Sequence, residues 1–334
     1  MGDDLNKLNR DIQQLDEELL AKINHRYELV QKYVDLASGS ENQDAYLPPS
    51  YHADLQKRIL EQNQGPASDQ AVAAIFREIL SGAKQLAEPV KVAFLGPENT
   101  FTHQATLAKF GHSVQQCSQK TIADVFEAVT RGNATYGVVP VENSTEGAVT
   151  HTLDMFTDTA LSISAEVNMN IHHNLLCNCE LQDLKVVYSH PQGFAQCRKW
   201  LQQNLHHADL IEVASTVEAS DRCKKEKNAG AIAGKLAAER YGLNIAAANI
   251  EDFVENTTRF LVLGSRQSEP TGDDKTSMLF ALRDRVGALY DSLLPFRRNG
   301  INLTMIESRP SRRRSWDYNF FIDFAGHFSD PAVS

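Results

Sequence analysis

Val90-Lys91-Val92-Ala93-Phe94-Leu95-Gly96-Pro97-Glu98-Asn99-Thr100-Phe101-Thr102 passes from a short apolar run through a polar turn into the helical spacing of 102–110. The same change of texture recurs downstream. Tyr136–Pro140, Leu161–Val167, Val186–Ser189 and Phe260–Leu263 read as further strands, and 121–131, 191–204, 216–226 and 229–241 as helices. Alternation of this kind predicts an α/β sheet with helices on both faces.

Upstream the pattern differs. Residues 1–88 hold no strand-like run, and Leu5, Leu8, Ile12, Leu15, Leu19, Ile23, Val30 and Val34 recur at three- and four-residue steps. That is the apolar stripe of a helix from about Asp4 to Ala37, about 50 Å long at 1.5 Å per residue. A domain of 88 residues cannot cover so long a stripe, which predicts pairing with a second chain. Gly39–Ser50, with Pro48-Pro49, breaks the helix, and two shorter helices follow near 51–63 and 68–87 across Gln64-Gly65-Pro66. Glu88-Pro89 marks one border and the polar stretch Ser265–Asp274 another. Beyond it Ser277–Leu282, a helix over 286–299, Ile301–Glu307 and Tyr318–Phe324 predict a small β-α-β-β unit.

Composition bounds the partners. The 334 residues suit two or three domains, and 42% hydrophobic with 23% charged residues is the content of a globular protein. A formal charge of -10 argues against nucleic acid, because phosphate binding wants a basic surface. An anionic small substrate then needs local cations. Met1-Gly2-Asp3-Asp4 is no basic leader and no apolar run approaches membrane-spanning length, so no membrane is expected and the cytoplasm is the natural home. Cys117, Cys177, Cys179, Cys197 and Cys223 are scattered, and neither they nor His172-His173 and His206-His207 show metal-ligand spacing. The expectation is no metal, with the histidines solvated in loops or at edges and Lys224–Lys227 a solvated helix end.

Four polar segments stand at strand ends: Gly96–Thr102, Val139–Gly147, Ser189–Cys197 and Asn256–Phe260. In open α/β sheets ligands bind beyond the C-terminal strand ends, where helix N-termini present N–H groups to anions. Three of the segments hold that position, and Thr257-Thr258-Arg259 leads into a strand instead.

Taken together, the four resemble the prephenate dehydratase family over about 90–265. The matching pieces are Gly96-Pro97 with Thr100-Phe101-Thr102, Pro140-Val141-Glu142-Asn143, Ser189-His190-Pro191-Gln192 with Gln196, and Thr258-Arg259-Phe260. The resemblance implies conversion of prephenate to phenylpyruvate with loss of water and carbon dioxide, without a cofactor. It implies a two-lobed fold like a type 2 periplasmic binding protein, with lobe one at about 90–165 and 250–265. Thr258 would donate to the leaving hydroxyl, and Glu142 would shape the site or assist proton transfer. Asn143, Ser189 and Gln196, with Thr100 and Thr102, would bind substrate. Arg259 is the local cation, facing either a substrate carboxylate or a structural one. His190 reads as a structural hydrogen-bonder.

Residues 1–88 resemble the all-helical chorismate mutases, which are intertwined dimers. Arg26, Ser81 and Gln85 match site positions of that family. Asn9, Ala37 and Tyr51-His52 stand where it places an arginine, a lysine and an arginine–glutamate pair. Losing charge-assisted contacts of about 1.5–3 kcal/mol each implies a scaffold domain in a homodimer or higher homo-oligomer. Residues 275–334 resemble a phenylalanine-binding ACT domain through Gly287-Ala288-Leu289 and Glu307-Ser308-Arg309-Pro310. The expected effector is L-phenylalanine, although the sequence reaches Ser334 where that fold still needs a helix and a strand.

The expected architecture is thus multidomain: an all-α domain over 1–88, a two-lobed α/β domain over 90–266 and an α+β ACT-like domain over 275–334. A bifunctional enzyme with a live mutase is one competing reading. A non-catalytic amino-acid sensor is another, and the intact Thr258-Arg259-Phe260 argues against it. Arogenate stands as an alternative substrate to prephenate.

Overall fold

The computed structural model describes residues 2–37, 49–87, 89–253, 255–283, 285–311 and 317–334. Residues 39–48 of the expected break, Glu88 of the first border, and the side chains of Ala37, Tyr51 and His52 lie outside the described residues. The chain divides into two units, residues 1–90 with 110–115, and the remainder.

The first unit is helical: α1 (Gly2–Ala37), α2 (Pro49–Gln62) and α3 (Asp69–Ala87). Where α1 meets α3, the Tyr27 hydroxyl donates to the Ile79 carbonyl at 3.1 Å. A side chain at Gly82 would collide with that phenol. Val30 is buried, but Leu5, Leu8, Ile12, Leu15 and Leu19 are each more than half exposed. The stripe along α1 from Leu5 to Leu19 is therefore left uncovered by the described residues.

The second unit begins as a lobe built on β1 (Lys91–Leu95), α4 (Phe101–Phe110), β2 (Gln115–Gln119), α5 (Ile122–Thr130), β3 (Tyr136–Asn143), β4 (Gly147–Ala148), α6 (Thr150–Met155) and β5 (Ser162–Asn170). The chain then crosses into lobe two. That lobe comprises β6 (Asn174–Cys177), β7 (Val186–Ser189), α7 (Pro191–Gln196), α8 (Arg198–Asn204), β8 (Asp209–Glu212), α9 (Thr216–Lys225), β9 (Ala229–Ala233), α10 (Lys235–Tyr241) and β10 (Asn244–Ala247). It returns to lobe one as β11 (Thr257–Gly264). The sheet orders are β2-β1-β3-β11-β5, with β4 on β3, and β10-β6-β9-β7-β8. Because β11 inserts antiparallel between β3 and β5, Thr258 stands opposite Asn143.

Two expected helices are corrected. Residues 229–241 are not one helix but β9 followed by α10. Ala229-Gly230-Ala231-Ile232-Ala233 is fully buried, and a Cβ on Gly230 would meet Leu175 and Leu184 at 3.3 Å. Small residues there fill a strand pressed on both faces, where composition alone suggests helix. The helix expected over 191–204 breaks at Cys197. Asp252, far along the chain, accepts from the backbone N–H groups of Lys199 (2.9 Å) and Trp200 (3.3 Å) and so caps α8 separately.

The C-terminal part forms β12 (Lys275–Leu282), α11 (Ala288–Arg298), β13 (Leu303–Pro310) and β14 (Tyr318–Ala325), an antiparallel sheet of order β12-β14-β13. Leu279, Met305 and Phe321 from one face join the lobe-one core. Phe296 of α11 packs on Phe324, with ring centroids 5.1 Å apart. This part therefore packs on lobe one through that face of its sheet. Among the described residues, no helix is long and apolar enough to cross a membrane.

Candidate active site

A cleft of about 520 Å³ opens between the lobes, a size suited to a small organic ligand. Thr258 enters it from β11, Asn143 from the end of β3, Thr100 and Thr102 from the start of α4, and Gln192 and Gln196 from α7. Phe101, Pro140, Ile171 and Phe260 supply apolar wall. Of the residues expected to bind or act, Thr258, Asn143, Gln196, Thr100 and Thr102 thus line one cavity.

Asn143 organises the floor. Its Oδ1 accepts from the backbone N–H groups of Thr145 (3.0 Å) and Glu146 (3.2 Å), so its amide nitrogen points the other way. That nitrogen donates to Thr258 Oγ1 at 2.8 Å and to Asn256 Oδ1 at 2.8 Å. The Thr258 hydroxyl makes a single hydrogen bond among the described residues, and it is the acceptor in it. Its own hydrogen is left to donate. Across the cleft, the amides of Gln192 (2.6 Å) and Gln196 (3.0 Å) both donate to the carboxylate of Glu146, on the turn between β3 and β4.

Three expected positions are corrected. Arg259 and Glu142 sit beside Thr258 and Asn143 in sequence but leave the sheet on its other face, because side chains alternate along a strand. Arg259 pairs there with Glu142 (3.3 Å), Glu166 (2.9 Å) and the buried Asp323 of β14. Lys275 joins through Glu166 at 2.7 Å. Burial alone would raise the Glu166 carboxyl, but the Lys275 hydrogen bond and the Arg259 charge hold it below its ordinary value. Ser189 is wholly buried beneath α7, with its hydroxyl 3.4 Å from the Ile232 carbonyl. A Cβ at Gly193 would fall on that hydroxyl. Ser189-His190-Pro191-Gln192-Gly193 is therefore chiefly a helix seat, and His190 Nδ1 caps α7 by accepting from the Gln192 N–H at 3.3 Å.

No lysine or arginine is among the described residues that line the cleft, so the expected local cation is absent from this wall. The first residues of α4 and α9 face the cavity instead, and their N–H groups carry partial positive charge. His173, expected to be solvated, is 3% exposed and lines the cleft, with Nε2 2.6 Å from Gln196 Oε1. Burial pushes its imidazole below the ordinary value, against the opposing pull of the Gln196 bond.

The other expected sites fare differently. Arg26 Nη1 on α1, and Ser81 Oγ and Gln85 Oε1 on α3, are each buried without a hydrogen-bond partner among the described residues. In the C-terminal part, Gly287-Ala288-Leu289 opens α11, with Gly287 at φ 78°. On β13, Glu307 and Arg309 share the face of Met305 toward lobe one, where Arg309 pairs with Asp154 of α6 at 3.3 Å. Ser308 lies on the opposite face, so the expected effector residues are divided between two sides of one sheet.

Residues 92–268 match the family model for prephenate dehydratase, and residues 8–88 that for chorismate mutase type II. The chain is 45% identical to a bifunctional chorismate mutase/prephenate dehydratase of Stutzerimonas stutzeri, over 99% of this chain and 92% of the relative. It is 44% identical to the protein of the same description from Pseudomonas aeruginosa, with the same shares covered. Among solved structures, the prephenate dehydratase of Arthrobacter aurescens in complex with L-Phe superposes with TM-score 0.67 at 36% identity, over 73% of this chain and 83% of that one.

Proposed function

This chain belongs to the prephenate dehydratase family, and from that premise we propose that the cleft around Thr258 is where it converts prephenate to phenylpyruvate. The bond from ring to carboxylate breaks, its electron pair completes the aromatic ring, and the ring hydroxyl departs. One proton from solvent turns the departing hydroxide into water. Aromatisation supplies the driving force, so the protein needs chiefly to orient the substrate and stabilise the leaving oxygen. Thr258 is the donor aimed at that oxygen. A hydroxyl is too weak an acid to be a free proton source, but an aimed hydrogen bond stabilises the developing charge.

The observation that carries this role is the direction of one hydrogen bond: Asn143 donates to Thr258 Oγ1, which leaves the threonine hydrogen for the substrate. Gln196 and Thr102 hold substrate oxygens, while Asn143, whose two amide hydrogens are engaged by Asn256 and Thr258, orients Thr258 rather than holding substrate. The N-termini of α4 and α9 receive the carboxylates, and Phe101 and Phe260 wall the ring. Glu142 and Arg259 brace the sheet from behind. Thr258→Ala is expected to lower kcat about 10²–10³-fold with prephenate KM and the unfolding midpoint nearly unchanged. Parent-level turnover would remove Thr258 from the role.

The helical domain supports a second reading, because the relatives named above are described as bifunctional and Arg26, Ser81 and Gln85 remain. Asn9 and Ala37 stand where the resemblance expects cations, so of the dianion-gripping charge two members are lost and Arg26 is kept. This domain is therefore a scaffold, with the open stripe of α1 covered by a second copy. Domain borders at 1–88, 90–266 and 275–334 follow, with a cytoplasmic home. L-phenylalanine is the effector at the C-terminal part. Sedimentation at monomer mass would refute the second copy, and dehydratase turnover indifferent to L-phenylalanine would refute the effector.

A further inference from the structure

Gln196 is held at its oxygen, and from two sides. Asn256 Nδ2 donates to Gln196 Oε1 at 2.9 Å, and His173 Nε2 approaches the same atom at 2.6 Å. Asn256 is 1% exposed and lies just before β11, where its backbone carbonyl accepts from the Ile171 N–H at 2.7 Å. It thus sits at the crossing between lobes, beside both connecting segments.

The direction of this chain of amides is set by the backbone. The N–H groups of Thr145 and Glu146 demand an oxygen from Asn143. Its NH2 must then face Asn256, so Asn256 presents Oδ1 to Asn143 and its own NH2 to Gln196. With Oε1 occupied, Gln196 turns its NH2 to the cleft, where it meets the Glu146 carboxylate at 3.0 Å. Flipping any one amide would set acceptor against acceptor or donor against donor in a buried site, and each unmade bond there is costly. The ring of His173 matches this scheme: Nε2 faces an oxygen that can only accept, so it carries a proton and donates, while the buried Nδ1 has no hydrogen-bond partner among the described residues. Phe101 holds the ring edge-on at 5.5 Å between centroids.

The NH2 group of Gln196 already grips an anionic oxygen, with Gln192 holding the second oxygen of the same carboxylate. We propose that Asn256 and His173 are positioning residues for substrate binding, which together occupy the carbonyl of Gln196 and so present its NH2 group to a carboxylate of the substrate. Neither touches the reacting atoms. This rests on the reading that Gln196 binds a substrate oxygen.

Steady-state kinetics of the full chain with prephenate test the inference. Asn256→Asp keeps the acceptor for Asn143 and removes the donor to Gln196. It is expected to raise KM about tenfold and leave kcat within about threefold. His173→Leu should raise KM in the same direction, and His173→Gln, which can still donate an N–H, should return it toward the parent value. A purely structural role would not distinguish glutamine from leucine by KM in folded protein. Parent-level KM in both Asn256→Asp and His173→Leu overturns the proposal, as does failure of His173→Gln to improve on His173→Leu. If Asn256→Asp does not fold, the His173 pair decides alone. Gln196→Ala separates the two levels. If it leaves KM unchanged, the substrate role of Gln196 falls; if it raises KM while the other variants do not, only the positioning role falls.

Discussion

Along β11 successive side chains leave opposite faces of the sheet, so Thr258 enters the cleft while Arg259 turns to three carboxylates behind it. Glu142 and Asn143 part in the same way on β3. Four residues of two short motifs therefore serve two purposes, and the strand period, readable from the sequence, was the signal that separates them. Arg259→Leu would leave Asp323, 1% exposed, as a buried carboxylate without its cation. A loss of about 3–5 kcal/mol of stability is expected from breaking such a pair, read as a lower unfolding midpoint, with prephenate KM near the parent value. A large rise in KM at unchanged stability would return Arg259 to the substrate side.

At the level of elements, α7 is the piece whose seating matters most, since it carries both Gln192 and Gln196 into the cleft. Gly193 faces Ser189 with no room for a Cβ between them. Gly193→Ala is expected to cost about 1–3 kcal/mol by overpacking and to raise prephenate KM by lifting α7 from β7. Removing the hydroxyl should relieve it, because the remaining Ser189 Cβ would stand 3.6 Å away, an ordinary contact. The double variant Ser189→Ala with Gly193→Ala should therefore recover much of the loss in thermal unfolding and KM. No recovery would mean that the serine is needed for its hydroxyl. The sequence stretch that forms this seat was legible as a motif, but not as packing: Ser189 was expected to bind substrate, and only the register of β7 beneath α7 shows it buried.

For the whole molecule, two families of site meet in one chain with unequal endowment. The cleft around Thr258 holds a mutually consistent set of donors, whereas the helical domain keeps Arg26, Ser81 and Gln85 with buried polar atoms that have no hydrogen-bond partner among the described residues. The full chain given chorismate is expected to show no mutase turnover above the uncatalysed rate, while the same sample converts prephenate. Chorismate consumption at an ordinary enzyme rate would instead make the chain bifunctional.

Local pattern determined a good deal. The stripe of α1, the strand–helix alternation after Val90 and the four polar segments in order all follow from side-chain periodicity and turn chemistry, which are properties of near neighbours. What those properties could not express was which side of a shared strand, or which partner from a distant strand, each polar group would meet. Gln196 meets His173 across 23 residues of chain and Asn256 across 60, only because two crossings bring lobe two against β3 and β11. Likewise β9 is a strand because its neighbours bury both faces, not because alanine and glycine favour one. Hydrogen-bond direction and two-sided burial are set by long-range contacts, and so the tertiary structure decided them.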